Sequence, residues 1–473
     1  GKAGDERRDL RQEFQALQGR DAGRSEKLKA GGALINSEYP IMFRTTLLFV
    51  ATAITFSCST DNDSTLPSAD KAQPFNVISP RQFGLNPAKV AQIRLAMQGA
   101  VDVGHISGAM LWVGNRSSIG LLESVGTQTQ DSPTPVTTDT IFRIYSMTKP
   151  IISVAAMSLI ESGKLGLDDP VSDYLPSFLD LQVIDSATGD IRPANNTMTI
   201  RHLLTHQSGI VQQPFAMNTP LGPLYRDSFP DVLTRPDPEA VDARFMETFN
   251  TISIQELAAR IGQLPVLFEP GTAWHYGHST DVLGAVLEVA SGQTLDDLLE
   301  DRIFGPLGME DTSFWVDEKD RFRVAEPIFG PMTDNTQVRG MLAGGHGLNS
   351  TTEDYARFAL MLLNGGALDD ARILSASSLD LMREGTLGPE VSRQYFFYED
   401  IGDWGLGFHL QPTTDYPDGP HNFGWRGIGG TLFLVDEEND FYLIYMVQKW
   451  GGPDDTPFTS DIAARMVYDA MRN

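Results

Sequence analysis

The order of strand-like and helical segments limits the fold of this chain more than any other feature of its sequence. Strand-like runs stand near both ends, at 106–113, 119–125, 405–411, 431–435 and 441–448. The first two flank Gly114-Asn115-Arg116, which predicts a β-hairpin. Helical stretches and Pro/Gly-rich loops fill the interval between the two groups of strands. The sequence therefore predicts an α+β fold: an antiparallel sheet built from both termini and flanked by helices, with a mainly helical subdomain inserted at about 165–340.

Apolar residues at helical spacing predict the flanking helices. Their segments are 86–98, 151–161 and about 458–471. The helix over 151–161 is apolar and is expected to end at Gly163.

The first part of the chain does not share this pattern. A polar arm leads to Arg44 and then to an apolar run over 47–56, which has the form of a signal peptide and is too short to span a bilayer comfortably. Cys58 follows and resembles the lipid acceptor of a bacterial lipoprotein. A plain signal peptide, or an N-terminal anchor with an incidental cysteine, is the alternative. We expect a disordered arm with a signal peptide over 1–57, a linker over 58–80, and export to the periplasm or the outer membrane.

Charge and cysteine content exclude several classes of protein. The formal net charge is −26, so the chain offers no basic stripe of the kind that nucleic acid binding needs. Its single cysteine excludes an internal disulfide and a cysteine-based metal site. We expect no nucleic acid partner, no metal and no cofactor.

The tetrapeptide Ser146-Met147-Thr148-Lys149 is the first motif that suggests chemistry. It stands where the apolar helix begins, and a spacing of three residues places Ser146 and Lys149 on one side of a helical turn. A serine hydroxyl needs a neighbour that takes its proton, and a lysine shielded from water can share that task. The motif alone is common by chance, so its context decides.

Longer segments supply that context. They read TTDTIFRIYSMTKPIISVAAMSLIESGKLG (137–166), TIRHLLTHQSGI (199–210), FEPGTAWHYGHSTDVLGAVLEVASGQTLDDLL (268–299), PLGMEDTSF (306–314), GGHGLNSTTEDYARFALMLLNGG (344–366) and FGWRGIGGTLFLVD (423–436). With them the chain resembles the serine β-lactamase and penicillin-binding-protein family, in particular its class C-like branch, the family VIII carboxylesterases. The resemblance implies a β-lactamase/transpeptidase-like serine hydrolase domain over 81–473.

The resemblance implies a second motif at Tyr276-Gly277-His278. Tyr276 would be the general base, with its phenolate favoured by the ammonium group of Lys149. The family has asparagine where this chain has His278, so His278 either replaces that amide in contact with substrate or lines the cleft. His275 and His278 are also conceivable metal ligands, but no further ligand is evident. His206 and His346 are expected to hold loops together.

The third motif is Trp425-Arg426-Gly427. Relatives that act on β-lactams have a lysine in the first position, whereas Trp425 resembles the esterase branch and would favour an apolar group of the substrate. We expect Trp425, Arg426 and Gly427 to contact substrate, although Arg426 and Trp425 point to opposite faces if they lie on one strand. The resemblance places the oxyanion hole at the backbone N–H groups of Ser146 and Ile428.

These features predict a serine hydrolase that cleaves carboxylic esters through an acyl-enzyme on Ser146, with Lys149 and Tyr276 as general base. The alternatives are a β-lactamase, a D,D-peptidase or a D-aminopeptidase acting on amides, and a cell-envelope binding protein that kept the fold. The chain contains no G-x-S-x-G, which argues against an α/β-hydrolase. We expect a small-molecule substrate, a choice of substrate set by loops at about 211–250, and a monomer or small homo-oligomer.

Overall fold

The computed structural model describes residues 75–212, 219–229, 252–330, 332, 334–396, 402–411, 422–452 and 456–471. Cys58, the predicted signal peptide and most of the predicted linker lie outside the described residues. So does most of the 211–250 segment that was expected to select the substrate.

An eight-stranded sheet forms the centre of the described structure. Its strands are β1 Asn76–Val77, β2 Gly108–Gly114, β3 Ser118–Gly126, β10 Asp403–Trp404, β11 His409–Gln411, β12 Asn422–Arg426, β13 Leu432–Asp436 and β14 Phe441–Val447. They lie in the order β1-β3-β2-β14-β13-β12-β11-β10, where the β1–β3 pair is parallel and every other pair is antiparallel. Three two-stranded pairs lie outside it: β4 Phe142–Arg143 with β7 Asn349–Ser350, β5 Gln182–Ile184 with β6 Ile191–Pro193, and β8 Ala367–Leu368 with β9 Ala371–Arg372.

The α-helices of the described residues are α1 Pro80–Phe83, α2 Pro87–Asp102, α3 Thr148–Glu161, α4 Ile200–Leu204, α5 Gly222–Ser228, α6 Ile254–Ile261, α7 Ser279–Ser291, α8 Leu295–Leu299, α9 Gly305–Leu307, α10 Thr352–Leu363, α11 Ala376–Met382 and α12 Ser460–Met471. No helix in the described ranges is long and apolar enough to cross a membrane.

The sheet joins the two ends of the chain, because β14 pairs with β2 over six residue pairs. Side chains of alternate residues then serve two separate cores. One face packs against α2 and α12, and the other face packs against the helical middle of the chain. The predicted α+β class and the sheet built from both termini are confirmed.

The run at 405–411 was predicted as one strand, and the structure divides it. Trp404 ends β10 and His409 begins β11, with a turn between them. Gly407 has a φ of +92°, in the left-handed region, and a Cβ at this position would overlap Ser153 of α3. The glycine permits a tight turn against the central helix, so the strand cannot continue through it.

Helix α3 is the element that carries the candidate chemistry. Its residues from Thr148 to Leu159 are buried, so it passes through the core between the sheet and the other helices. The predicted apolar helix at 151–161 is thereby confirmed, with a start three residues earlier than the sequence indicated. Its first turn brings Lys149 next to Ser146, and the turn that carries Ser146 packs against β12.

Candidate active site

Ser146 lies in a single 3₁₀ turn, Tyr145–Met147, directly before α3. Tyr145 has a φ of 44°, which is costly for a residue with a large side chain. Its neighbours in the turn are buried, whereas Ser146 is partly accessible. The strained turn therefore presents one hydroxyl to the solvent side of an otherwise closed core, as a nucleophile requires.

The structure brings Ser146, Lys149 and Tyr276 together. The Tyr276 hydroxyl lies 2.8 Å from Ser146 Oγ, and Lys149 Nζ lies 3.4 Å from the same oxygen. Lys149 Nζ also lies 4.5 Å from the centre of the Tyr276 ring. A phenol and an amine thus share one hydroxyl, and each is close enough to exchange its proton.

Tyr276 is held by an aromatic cluster beneath the nucleophile. Its ring lies 4.8 Å from that of His206 and 5.6 Å from that of Trp425, centroid to centroid. Trp425 Nε1 donates to the Tyr276 hydroxyl oxygen at 3.3 Å, and the Trp404 ring packs edge-on against Trp425. Burial holds the pKa of His206 well below its usual range, so this imidazole is neutral under the phenol. The donated indole hydrogen bond stabilises negative charge on the Tyr276 oxygen.

Lys149 is fixed by a backbone carbonyl that a buried carboxylate positions. Its ammonium donates to the Gly345 oxygen at 2.6 Å, and the Gly345 N–H donates to Asp281 Oδ1 at 2.7 Å. A Cβ on Gly345 would come within 2.7 Å of the carboxylate, so the loop approaches α7 closely only because the residue is glycine. Asp281 therefore helps to position Lys149 indirectly, by fixing the backbone of Gly345, which Lys149 contacts.

Asp281 is almost fully buried and remains charged. Burial alone would raise the pKa of its carboxyl group, but a hydrogen bond with His278 and the nearby His346 and Lys149 hold that pKa below its usual range. Burial lowers the pKa of His346 to about 4. The carboxylate thus supplies a negative charge close to the Lys149 ammonium.

His278 occupies a different place from the one predicted. Its side chain is 2% exposed, and Nδ1 lies 2.8 Å from Asp281 Oδ2. The predicted contact with substrate is replaced by a contact within the protein, because the first turn of α7 folds this imidazole onto Asp281. His275 lies 2.7 Å from the Tyr276 carbonyl oxygen through its Nδ1. Within the described ranges, no group of three or more His, Cys, Asp or Glu side chains could hold a metal ion.

The end of β12 lies directly against the nucleophile turn. A Cβ on Gly427 would overlap the Ile144 carbonyl oxygen, and a Cβ on Gly429 would lie 3.1 Å from the Tyr145 ring. In the described structure, the N–H group of Ile428 makes no hydrogen bond with the protein. The strand end therefore brings a backbone N–H group close to the nucleophile turn.

Arg426 lies on the other face of the sheet, contrary to its predicted contact with substrate. Trp425 pairs with Phe433 and belongs to the core around α3, whereas Arg426 pairs with Leu432, which faces α12. Arg426 Nη1 forms an ion pair with Asp461 of α12 at 2.8 Å. Alternation along β12 explains this, because adjacent side chains point to opposite faces.

Comparison with known proteins agrees with this geometry. A family model described as Beta-lactamase matches residues 93–465. The chain belongs to the beta-lactamase family. It is 33% identical to penicillin-binding protein 4 of Amycolatopsis lactamdurans over 341 residues (70% of this chain and 76% of the relative). It is 31% identical to esterase EstB of Burkholderia gladioli over 277 residues (57% and 64%). A solved structure of EstCE1, described as a hydrolase with promiscuous acyltransferase activity, aligns with a TM-score of 0.63 at 22% identity, covering 82% of this chain and 99% of that one.

As a member of the beta-lactamase family, the chain is a serine hydrolase. The similarity that the sequence indicated is confirmed. One feature of the site was missed from the sequence. Asp281 was missed because an acidic residue in the first turn of a helix is ordinary, although its place in a largely apolar helix was a usable signal.

Proposed function

We propose that this protein hydrolyses carboxylic esters through an acyl-enzyme on Ser146, with Tyr276 and Lys149 sharing the role of general base. The observation that carries the proposal is the convergence of the Tyr276 hydroxyl and the Lys149 amine on Ser146 Oγ, at 2.8 Å and 3.4 Å. Each group also has a hydrogen bond that fixes it: Trp425 donates to the Tyr276 hydroxyl, and Lys149 donates to the Gly345 carbonyl.

In the proposed reaction, Ser146 Oγ attacks the ester carbonyl while its proton passes to the phenolate form of Tyr276. The ammonium of Lys149 favours that phenolate through its charge. The N–H groups of Ser146 and Ile428 bind the oxyanion, each worth about 2.7–4 kcal/mol in comparable sites. The alcohol leaves with the proton from Tyr276, and water then hydrolyses the acyl-enzyme by the same route. The division of the proton between Tyr276 and Lys149 belongs to the coupled pair.

Trp425 favours an ester over a β-lactam or a peptide. The indole occupies the position where relatives that act on β-lactams have a lysine, and it uses its N–H on Tyr276 rather than on substrate. The guanidinium of Arg426 does not compensate, because it is paired with Asp461 across the sheet. One of the relatives carries the name esterase, which agrees with this preference.

Amide substrates are the second candidate, favoured by the similarity to penicillin-binding protein 4. The deciding experiment measures kcat/KM for p-nitrophenyl butyrate, nitrocefin and a D-alanyl-D-alanine peptide with one enzyme preparation. We expect turnover of the ester at least a hundredfold above that of both amides. Faster turnover of nitrocefin or of the peptide would contradict the proposal and assign the site to amide chemistry.

We also propose that the protein is exported and anchored through Cys58. The apolar run before Cys58 supports this. Expression of residues 1–473 in a bacterium, with a Cys58→Ser variant beside it, tests the proposal. Membrane association that is lost in the variant is expected, and equal distribution of both forms between membrane and soluble fractions would contradict it.

A further inference from the structure

Among the described residues, Arg339 forms no ion pair with a carboxylate, although Asp334, five residues earlier, attracts its charge. Its Nη2 donates to the Asp334 carbonyl oxygen at 2.7 Å. Its Nε is buried and makes no hydrogen bond with the described residues, and no described carboxylate forms an ion pair with its guanidinium. The chain has 62 Asp and Glu against 36 Lys and Arg, so carboxylates were abundant. A half-buried guanidinium left with unused donors costs free energy that a ligand can recover.

The surroundings of Arg339 place it at the site. Tyr145, the residue before the nucleophile, is one of the ionisable groups that surround it. On the other side, its charge acts on His346, which adjoins the Gly345 carbonyl that holds Lys149. The charge of Arg339 therefore acts both on the nucleophile turn and on the loop that positions Lys149.

The segment that carries Arg339 also reaches the end of β12. Met332 Cε lies 3.2 Å from the position that a Cβ on Gly429 would take, and the Tyr145 ring lies 3.1 Å from the same point. Met332 thus lies beside the strand end that leads to Ile428, and the charge of Arg339 acts on His346 on the Lys149 side of the nucleophile. A group bound between these two side chains would lie close to the nucleophile turn.

The other cationic side chains of this region already have hydrogen-bond or ion-pair partners within the protein. Lys149 is bound to Gly345, and Arg143 forms an ion pair with Glu326 at 2.8 Å. Arg426 is paired on the far face of the sheet. Burial lowers the pKa of Arg339 to about 10, so its side chain stays protonated at neutral pH. Its planar donors suit a carboxylate, which they can bind through two parallel hydrogen bonds.

We infer that Arg339 is a specificity-determining residue that binds a free carboxylate on the ester substrate, so that the preferred substrates are anionic esters. This inference rests on the proposed function. It names the class of ester and replaces the substrate-binding role that the sequence suggested for Arg426. The carboxylate belongs either to the acyl group or to the leaving group, and the experiment distinguishes these two sources.

Two matched pairs of esters test the inference. The first pair is the mono-p-nitrophenyl ester of glutaric acid beside p-nitrophenyl butyrate, which differ by a carboxylate on the acyl group. The second pair is the butyryl ester of p-hydroxybenzoate beside that of p-hydroxyacetophenone, which differ by a carboxylate on the leaving group. We expect the wild-type enzyme to prefer the charged member of one pair, and that pair identifies which side carries the carboxylate.

In the variant Arg339→Gln, kcat/KM for that charged ester should fall about ten- to hundredfold. This is the factor that corresponds to the loss of one charge-assisted hydrogen bond. Its kcat/KM for the neutral esters should change by less than about threefold, and Arg339→Lys should retain part of the preference. Arg81→Gln is the matched control, because it removes an exposed charge from α1, which packs against β3 far from β12. Thermal melting of each variant shows whether it is folded.

Three results would overturn the inference. They are equal kcat/KM for charged and neutral esters in the wild type, an equal loss for both in a folded Arg339→Gln variant, and a loss in Arg81→Gln of the same size. If Arg339→Gln does not fold, the wild-type preference for the charged ester must fall on adding salt, and insensitivity to salt would contradict a charge contact. Turnover of neutral esters alone refutes only this inference, whereas no turnover of any ester refutes the proposed function as well.

Discussion

Replacing Asp281 by asparagine tests whether the negative charge of Asp281, and not only its hydrogen bond to Gly345, is needed to position Lys149. The variant keeps the volume of the side chain and an oxygen that can accept from Gly345 N–H, but it removes the negative charge. The Asp281 carboxylate accepts a hydrogen bond from the Gly345 N–H at 2.7 Å, and the Gly345 carbonyl oxygen accepts one from Lys149 at 2.6 Å. Only the backbone of Gly345 separates the carboxylate from the ammonium, so the two charges lie roughly 7 Å apart. At an effective dielectric constant of about 20, this distance corresponds to about 2 kcal/mol.

That interaction helps to hold the Lys149 ammonium beside Ser146. Removing it should therefore lower kcat/KM by about ten- to thirtyfold, the factor that corresponds to about 2 kcal/mol. The carbonyl of Gly345 is also held less firmly in the variant. The assay is hydrolysis of p-nitrophenyl butyrate at neutral pH, beside urea unfolding at the same pH.

Asp354→Asn is the matched control. Asp354, at the start of α10, is also a buried carboxylate that accepts hydrogen bonds. Its Oδ2 accepts from the Asp311 N–H at 2.8 Å and from Thr312 Oγ1 at 2.9 Å. Both variants should lose about 1.5–3 kcal/mol of unfolding free energy, as for one charged hydrogen bond. Only the Asp281 variant should lose kcat/KM by this factor. Equal kcat/KM in the two variants together with equal destabilisation would refute the reasoning and leave Asp281 with a structural role alone.

Three further changes have expected outcomes. Trp425→Phe removes the indole N–H from Tyr276 and should lower kcat about three- to tenfold, as for one neutral hydrogen bond; an unchanged kcat on p-nitrophenyl butyrate would contradict this role. Gly427→Ala places a Cβ on the Ile144 carbonyl and should cost about 1–3 kcal/mol in urea unfolding, with a loss of activity, and native behaviour in both assays would refute the close approach. Burial lowers the pKa of His346 and His275 to about 4, so the folded state binds fewer protons than the unfolded chain, and the melting temperature should fall as pH drops from 6.5 towards 4; a flat melting temperature over this range would contradict it.

The sequence predicted the fold class and the residues around the nucleophile because both depend on local patterns. Alternating apolar residues and the Gly114-Asn115 turn mark β2 and β3, and the pairing of β2 with β14 follows from the need to complete a sheet. Ser146 and Lys149 are neighbours on one helical turn, so their proximity is a property of the sequence itself. Tyr276 was located only through resemblance, because 130 residues separate it from Ser146.

The contacts that the sequence did not predict depend on which way a side chain points and on residues far apart in the chain. Arg426 follows Trp425 directly, yet the alternation of β12 sends it to Asp461 on the opposite face. His278 stands in the motif but turns towards Asp281, which a pattern of residue types does not reveal. Arg339 belongs to no motif, and only the fold brings it near Tyr145.

The most direct test of the account is the mass of the intact protein after reaction with a fluorophosphonate, measured for the wild type and for Ser146→Ala. One covalent adduct on Ser146 in the wild type, together with no adduct and no ester turnover in a folded Ser146→Ala variant, is the predicted result. Labelling at another residue, or turnover near the wild-type rate in the alanine variant, would contradict the assignment of Ser146 as the nucleophile.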